Sequence, residues 1–150
     1  MQVLIKRANI VESIHNVKFL VKNSKFKTIL SSNNDKDILY PRSSIKIFQA
    51  IPFVLSEADK KFGLSEKMLA IACASHCGEN QHLKIVEKWI KKIKLSTNDL
   101  KCGIHAPINS NAYKNLLLQG NFPNQLHNNC SGKHLAMLSG CLASDLSYKN

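Results

Sequence analysis

A chain of 150 residues fits one domain and is long enough to bury a core. Its apolar share of 44% excludes wholesale disorder, and no apolar run is long enough to span a bilayer. The formal charge of +11 invites a nucleic-acid surface, but the positive residues are scattered lysines with only Arg7 and Arg42 as arginines, so no nucleic-acid partner is expected. The lysines read instead as a solvated surface, in a chain where Lys, Asn and Ile are all abundant. Met1 to Arg7 is too short and too quickly charged for a signal peptide, so a cytoplasmic location without membrane attachment is expected. Five cysteines, an odd number without framework spacing, fit a reducing compartment.

Residues 1–40 read as strands. Residues 3–11 predict a first strand, and the β-rich runs 17–21 and 26–30 around Lys22-Asn23-Ser24-Lys25 predict a hairpin. Residues 31–37 are a polar loop. Helical patterns dominate from residue 43. Ile45, Phe48, Ile51, Val54 and Leu55 form an apolar stripe in which Pro52 predicts a kink. Ser65 reads as the N-cap of a helix over Glu66–Cys73. Leu83, Val86, Trp89, Ile90 and Ile93 form an amphipathic stripe backed by lysines. A further helix should start at Asn109 or Ser110 and stop at Gly120, and a last one should run from a Ser131 cap toward Leu142. The sum is a small antiparallel sheet of about three strands followed by helices, an α+β layering.

Four stretches gather chemistry. Ser43 and Lys46 stand in a Ser-x-x-Lys spacing at the start of a predicted helix, so they share a face and the lysine can reach the hydroxyl. A desolvated lysine can serve as base there, and the helix N-terminus favours developing negative charge. Equally, Ser43 can simply cap the helix. Cys73-Ala74-Ser75-His76-Cys77-Gly78-Glu79 offers two cysteines at i, i+4, as metal donors or as buried thiols. Lys101-Cys102-Gly103-Ile104-His105 holds a Cys and a His at ligand-like spacing, or a core thiol in a loop. The densest stretch is Leu126-His127-Asn128-Asn129-Cys130-Ser131-Gly132-Lys133-His134. It packs a thiol, a lysine, two imidazoles and two amides into nine residues that suit neither a long helix nor a buried strand. Cys130 and His134 would share one helix side as a two-donor half-site where structural zinc needs four.

In this order and spacing the four stretches resemble the thermolabile, rhizobial-type (class 3) L-asparaginases, the asparaginase II family, as does Val11-Glu12-Ser13-Ile14-His15 near the start. The resemblance implies a serine β-lactamase/glutaminase-like fold and hydrolysis of L-asparagine to L-aspartate and ammonia by two Ser-Lys tandems beside a zinc ion. It assigns Ser43 as nucleophile, Lys46 as its base and Ser75 as the second serine. Arg42, His76, His105 and Asn129 fall at substrate-side positions. Cys130 and Lys133 correspond to zinc ligands, the lysine as a neutral amine. Cys77 stands where the family usually has serine, and Asn33-Asn34-Asp35 lacks a Gly-Asp-Pro character. Family members run longer, with the second catalytic lysine and a further zinc cysteine beyond this stretch. Residues 1–150 are therefore expected to be a truncated, inactive asparaginase-like domain. The alternatives are a zinc- or amino-acid-binding remnant, a homo-oligomer, or one half of a split enzyme completed by a C-terminal half.

Overall fold

The computed structural model describes residues 1–32, 36, 38 and 40–149, which fall into two compact units, Met1–Tyr40 and Pro41–Asn150. The chain is a mixture of helix with short antiparallel strands, as its pattern predicts. No helix among the described residues is long and apolar enough to cross a membrane.

The first unit departs from the expected three-stranded sheet. The run 3–11 is not one strand. Strand β1 (Gln2–Arg7) turns at Ala8, whose φ is +52°, and returns as β2 (Ile10–Asn16). A two-residue turn, Ala8-Asn9, reverses the chain where hydrophobicity alone suggests continuity. The hairpin predicted next is present, with β3 (Leu20–Lys22) antiparallel to β4 (Thr28–Ser31). Asn23 explains its turn, since its Oδ1 accepts from the backbone N–H of Lys25 and of Lys27, each at 3.0 Å. Among the described residues the two ladders remain separate two-stranded sheets. The polar loop at 31–37, with Asn33, Asn34 and Asp35, lies largely outside the described residues.

The second unit holds the core. A 3-10 turn (Arg42–Ile45) leads into α1 (Lys46–Leu55), followed by α2 (Ala58–Lys61), α3 (Glu66–Cys73), α4 (Asn80–Lys92), α5 (Ser110–Leu118) and α6 (Ser131–Ala143). The local stop and start signals hold. Ser65 occupies the N-cap of α3, and the Asn109 side chain caps α5 by accepting from Ala112 N–H at 2.9 Å. Gly120, at φ +72°, follows the end of that helix. The last helix is offset by one: Cys130 is its N-cap, and Ser131 is its first residue, fully buried.

Helix α6 is the hub, packed against α1, α3 and α4. Leu135 and Ala136 on α6 meet Phe53, Ile71, Ala72, Val86 and Trp89 in one apolar cluster. Burying side chains of this size is worth roughly 1.5–3 kcal/mol each. Trp89 has no exposed surface, and its indole N–H donates to Ser139 Oγ at 2.9 Å; that hydroxyl donates on to the Leu135 carbonyl at 2.7 Å. Of the two glycines on α6, only Gly132 is required by the close approach of a neighbour. A Cβ on Gly132 would lie 2.5 Å from the Ile71 carbonyl oxygen of α3, whereas one on Gly140 would meet nothing nearer than Phe53 Cα at 3.6 Å.

Helix α1 corrects the sequence reading. It continues through Pro52 to Leu55, and its buried residues are Lys46, Ala50 and Phe53. The predicted stripe faces outward instead: Phe48 is 68% exposed and Leu55 77%, with Ile45, Ile51 and Val54 also exposed. The helix is apolar nearly all round, so periodicity could not say which face the core would take. Small Ala50 and flat Phe53 allow the closer packing.

Candidate functional site

The site is built on the start of α1. Arg42 holds φ +51°, an uncommon left-handed conformation for a residue with a Cβ, and it precedes the exposed hydroxyl of Ser43. Ser44 Oγ donates to the Pro41 carbonyl and closes the 3-10 turn from below. One turn on, Lys46 points inward and is only 2% exposed. Its Nζ donates to the Ser75 hydroxyl at 2.8 Å and to the Ala74 carbonyl at 3.2 Å. Ser75 Oγ in turn donates to Ser43 Oγ at 3.4 Å.

The Ser-x-x-Lys spacing thus brings Ser43 and Lys46 to one place, but the two are joined through Ser75. A lysine this deeply buried has to be fully hydrogen-bonded, and the end of α3 supplies the partners. After Cys73 the chain extends, so the Ala74 carbonyl and the Ser75 hydroxyl lie over the Lys46 amine.

A cleft of about 310 Å³ opens at this point, lined by Arg42, Ser43, Ile45, Lys46, Gln49, Cys130 and Lys133. The densest motif of the sequence therefore meets the Ser-x-x-Lys motif in one concavity. Asn128 anchors that segment. Its amide nitrogen donates to the Cys102 carbonyl at 2.8 Å, and its oxygen accepts from Cys130 N–H at 2.8 Å. The third motif, through Cys102, is thereby tied to the fourth. Burial raises the Cys102 thiol pKa, and its Sγ–H points to the Gln125 carbonyl.

His76 plays a buried role. It is 3% exposed; its Nδ1 accepts from Gly78 N–H at 3.2 Å, which leaves the proton on Nε2 to donate to Ser131 Oγ at 2.8 Å. Burial, with His82, Lys46 and His127 nearby, pushes its pKa down to about 4. Ser131 passes the chain of bonds on to the Leu126 carbonyl at 3.1 Å. His76 N–H also donates to the Asn129 carbonyl at 3.2 Å, so this pair pins the Ser75 segment to the start of α6. His105 is exposed on the loop before α5 and does not line the cleft.

Zinc needs three or four protein donors, and the cleft offers Cys130 and Lys133. His134 is turned away, its Nδ1 against the Cys130 carbonyl at 3.2 Å. Among the described residues no group of three or more His, Cys, Asp or Glu side chains is placed to hold a metal. The donors present do not form a zinc site by themselves.

Sequence reasoning missed Ser131 as an internal hydrogen-bond link and Ser139 under the indole. Nothing local marks either, because both act across helices.

The helical unit thus sets a buried lysine beside the hydroxyl of Ser75, which reaches Ser43. The family model described as L-asparaginase II matches residues 3–150, and the chain belongs to that family. No curated protein matches the chain.

Proposed function

We propose that the chain, against the inactivity expected of it from the resemblance, carries an asparaginase-type amide-hydrolysing site centred on Ser43, with L-asparagine as the substrate. The carrying observation is the chain of contacts Ser43–Ser75–Lys46, at 3.4 and 2.8 Å, whose two ends line one cleft, on a member of this family. The β-lactamase-like fold belongs to the same proposal.

The geometry suggests a relay. With Lys46 Nζ unprotonated and both hydroxyl hydrogens turned toward it, the reverse of the resting bonds, Ser43 Oγ attacks the side-chain amide carbon, its proton passes to Ser75 Oγ, and Ser75 gives its own to Lys46 Nζ. The protons return by the same path to the departing nitrogen, so ammonia leaves and an ester on Ser43 remains. Water, deprotonated along the same path, releases aspartate. Arg42, which lines the cleft, would hold the substrate carboxylate. Lys133 has two uses that exclude one another: charged, it stabilises an oxyanion; neutral, it ligates zinc beside Cys130. Zinc on that pair would supply Lewis-acid polarisation and needs further donors. His76, both ring nitrogens engaged, acts as a positioning residue for the Ser75 segment.

Ammonia release from L-asparagine, with mass spectrometry of the Ser43 peptide under substrate, tests the reading. The expected result is an acyl adduct on Ser43 in wild type that is absent from Ser43→Ala together with all ammonia release. Equal ammonia release by both proteins refutes Ser43 as nucleophile. Saturable L-asparagine binding with neither adduct nor ammonia would establish a binding-only chain.

A further inference from the structure

A second concavity, about 440 Å³, lies between the start of α4 and α5, away from Ser43. That volume is in the range of small-molecule sites, roughly 300–1,000 Å³. Its walls carry Leu83, Pro107 and Leu116, and two features of its polar lining stand out.

The first is His127, 6% exposed. In the cap of the 3-10 turn Gln125–His127 its Nδ1 lies 3.0 Å from Asn124 N–H and 2.9 Å from Asn124 Oδ1, so both Asn124 groups sit on Nδ1 and leave the ring only Nε2 for any other partner. That Nε2 is buried and has no hydrogen-bond partner among the described residues. An orphaned buried polar atom costs about 1–3 kcal/mol. The second is Glu79, half-buried. Its oxygens accept only from neutral amides, Asn109 Nδ2 and Gln81 Nε2, both at 2.9 Å, and no cation pairs with it among the described residues. The cleft thus offers a carboxylate lacking a cation, a buried imidazole nitrogen lacking a partner, and an aliphatic wall. Asn115 and Gln119 on the exposed side of α5 border it and can move aside.

We propose that this cleft binds a small zwitterionic amino acid with an aliphatic side chain. Its ammonium pairs with Glu79, its carboxylate accepts from His127 Nε2–H, and its side chain rests on Leu83, Pro107 and Leu116. The site is independent of the Ser43 reading, and such a ligand has no amide to hydrolyse.

The probe is L-leucine, titrated into the ¹⁵N-labelled full chain while the His127 ring nitrogens and methyl contacts are followed by NMR. The expected result is a saturable shift of His127 Nε2 at millimolar ligand, with intermolecular contacts to the Leu83 and Leu116 methyls. Glu79→Gln, which keeps the acceptor for Asn109, should weaken binding about tenfold. Ala112→Phe, filling the cleft from a half-buried position on α5, should abolish it, and Ser43→Ala should leave it unchanged. If either variant fails to fold, the methyl contacts in wild type decide. A ring resonance unmoved by saturating L-leucine, contacts outside the cleft, or binding undiminished in folded Ala112→Phe would each overturn the proposal.

Discussion

Gly132→Ala and Gly140→Ala are the same chemical change on the same helix, yet they should shift stability in opposite directions. On exposed helical surface, alanine gains roughly 0.5–1 kcal/mol over glycine by restricting the unfolded chain. At Gly140 the new methyl meets Phe53 Cα at 3.6 Å and Ser56 Oγ at 3.7 Å, ordinary contacts, so the full gain should appear. At Gly132 it meets the Ile71 carbonyl oxygen at 2.5 Å and its carbon at 2.9 Å. Backbone cannot swing aside as a side chain can, so α3 and α6 must part by about half an ångström. Overpacking of this kind costs about 1–3 kcal/mol, and the propensity gain is smaller in the first turn, leaving a net loss near 2 kcal/mol. The two variants should therefore differ by about 3 kcal/mol, or roughly 10 °C in Tm for a domain of this size. Urea unfolding followed by the emission of Trp89, the one tryptophan and fully buried, reads both. If Gly132→Ala matches or exceeds wild type, or if the two shifts share a sign, the close approach of α3 and α6 is wrong.

Three further outcomes are expected. Ser139→Ala leaves the Trp89 indole N–H without its acceptor and should cost about 1–3 kcal/mol in the same urea assay; a cost below 0.5 or so would show that another acceptor replaces it. The His76 pKa, lowered to about 4, means that the unfolded chain binds more protons than the folded one between the ordinary histidine value and that figure. The stabilisation is then complete above about pH 6.5, declines as pH falls toward 4, and amounts to about 3 kcal/mol at most. Comparing urea midpoints at both ends for wild type and His76→Gln checks it, and an unchanged pH slope in the variant would contradict the assignment. Lys46→Met replaces a 2%-exposed amine with an apolar chain of similar length and should hold stability within about 1 kcal/mol while abolishing Ser43 acylation. Acylation that survives in this variant would remove Lys46 from the relay.

What was legible in the sequence was what is decided locally. The Asn109 cap, the Gly120 stop and the α4 stripe each depend on a few neighbours, and each stands where it was read. The grouping of Ser43, Lys46, Cys130 and Lys133 was legible only because the motifs occur together in one family; no spacing rule connects residue 46 to residue 130. Their meeting is a property of α1 crossing α6. Lys46 bonding to Ser75, 29 positions away, was hidden for the same reason, since helical spacing points to Ser43 first. The wrong face of α1 has another cause. A helix apolar on both sides carries no internal record of which side meets Gly140. The break at Ala8 was lost because the left-handed position of the turn, at φ +52°, is held by an alanine and not by the glycine that would have marked it.

The outward face of α1 has a consequence for how the protein behaves in solution. Ile47, Phe48, Ile51, Val54 and Leu55 present a continuous uncharged strip to water, on a molecule whose net charge is +11. In dilute buffer the shared positive charge holds two such strips apart. At physiological ionic strength the screening length shrinks to about 8 Å, shorter than the molecule, and repulsion no longer offsets apolar contact. Solubility should therefore fall as sodium chloride is added, and light scattering should rise with salt, most steeply for the protein with its α1 face intact and least when Phe48 and Leu55 are made polar.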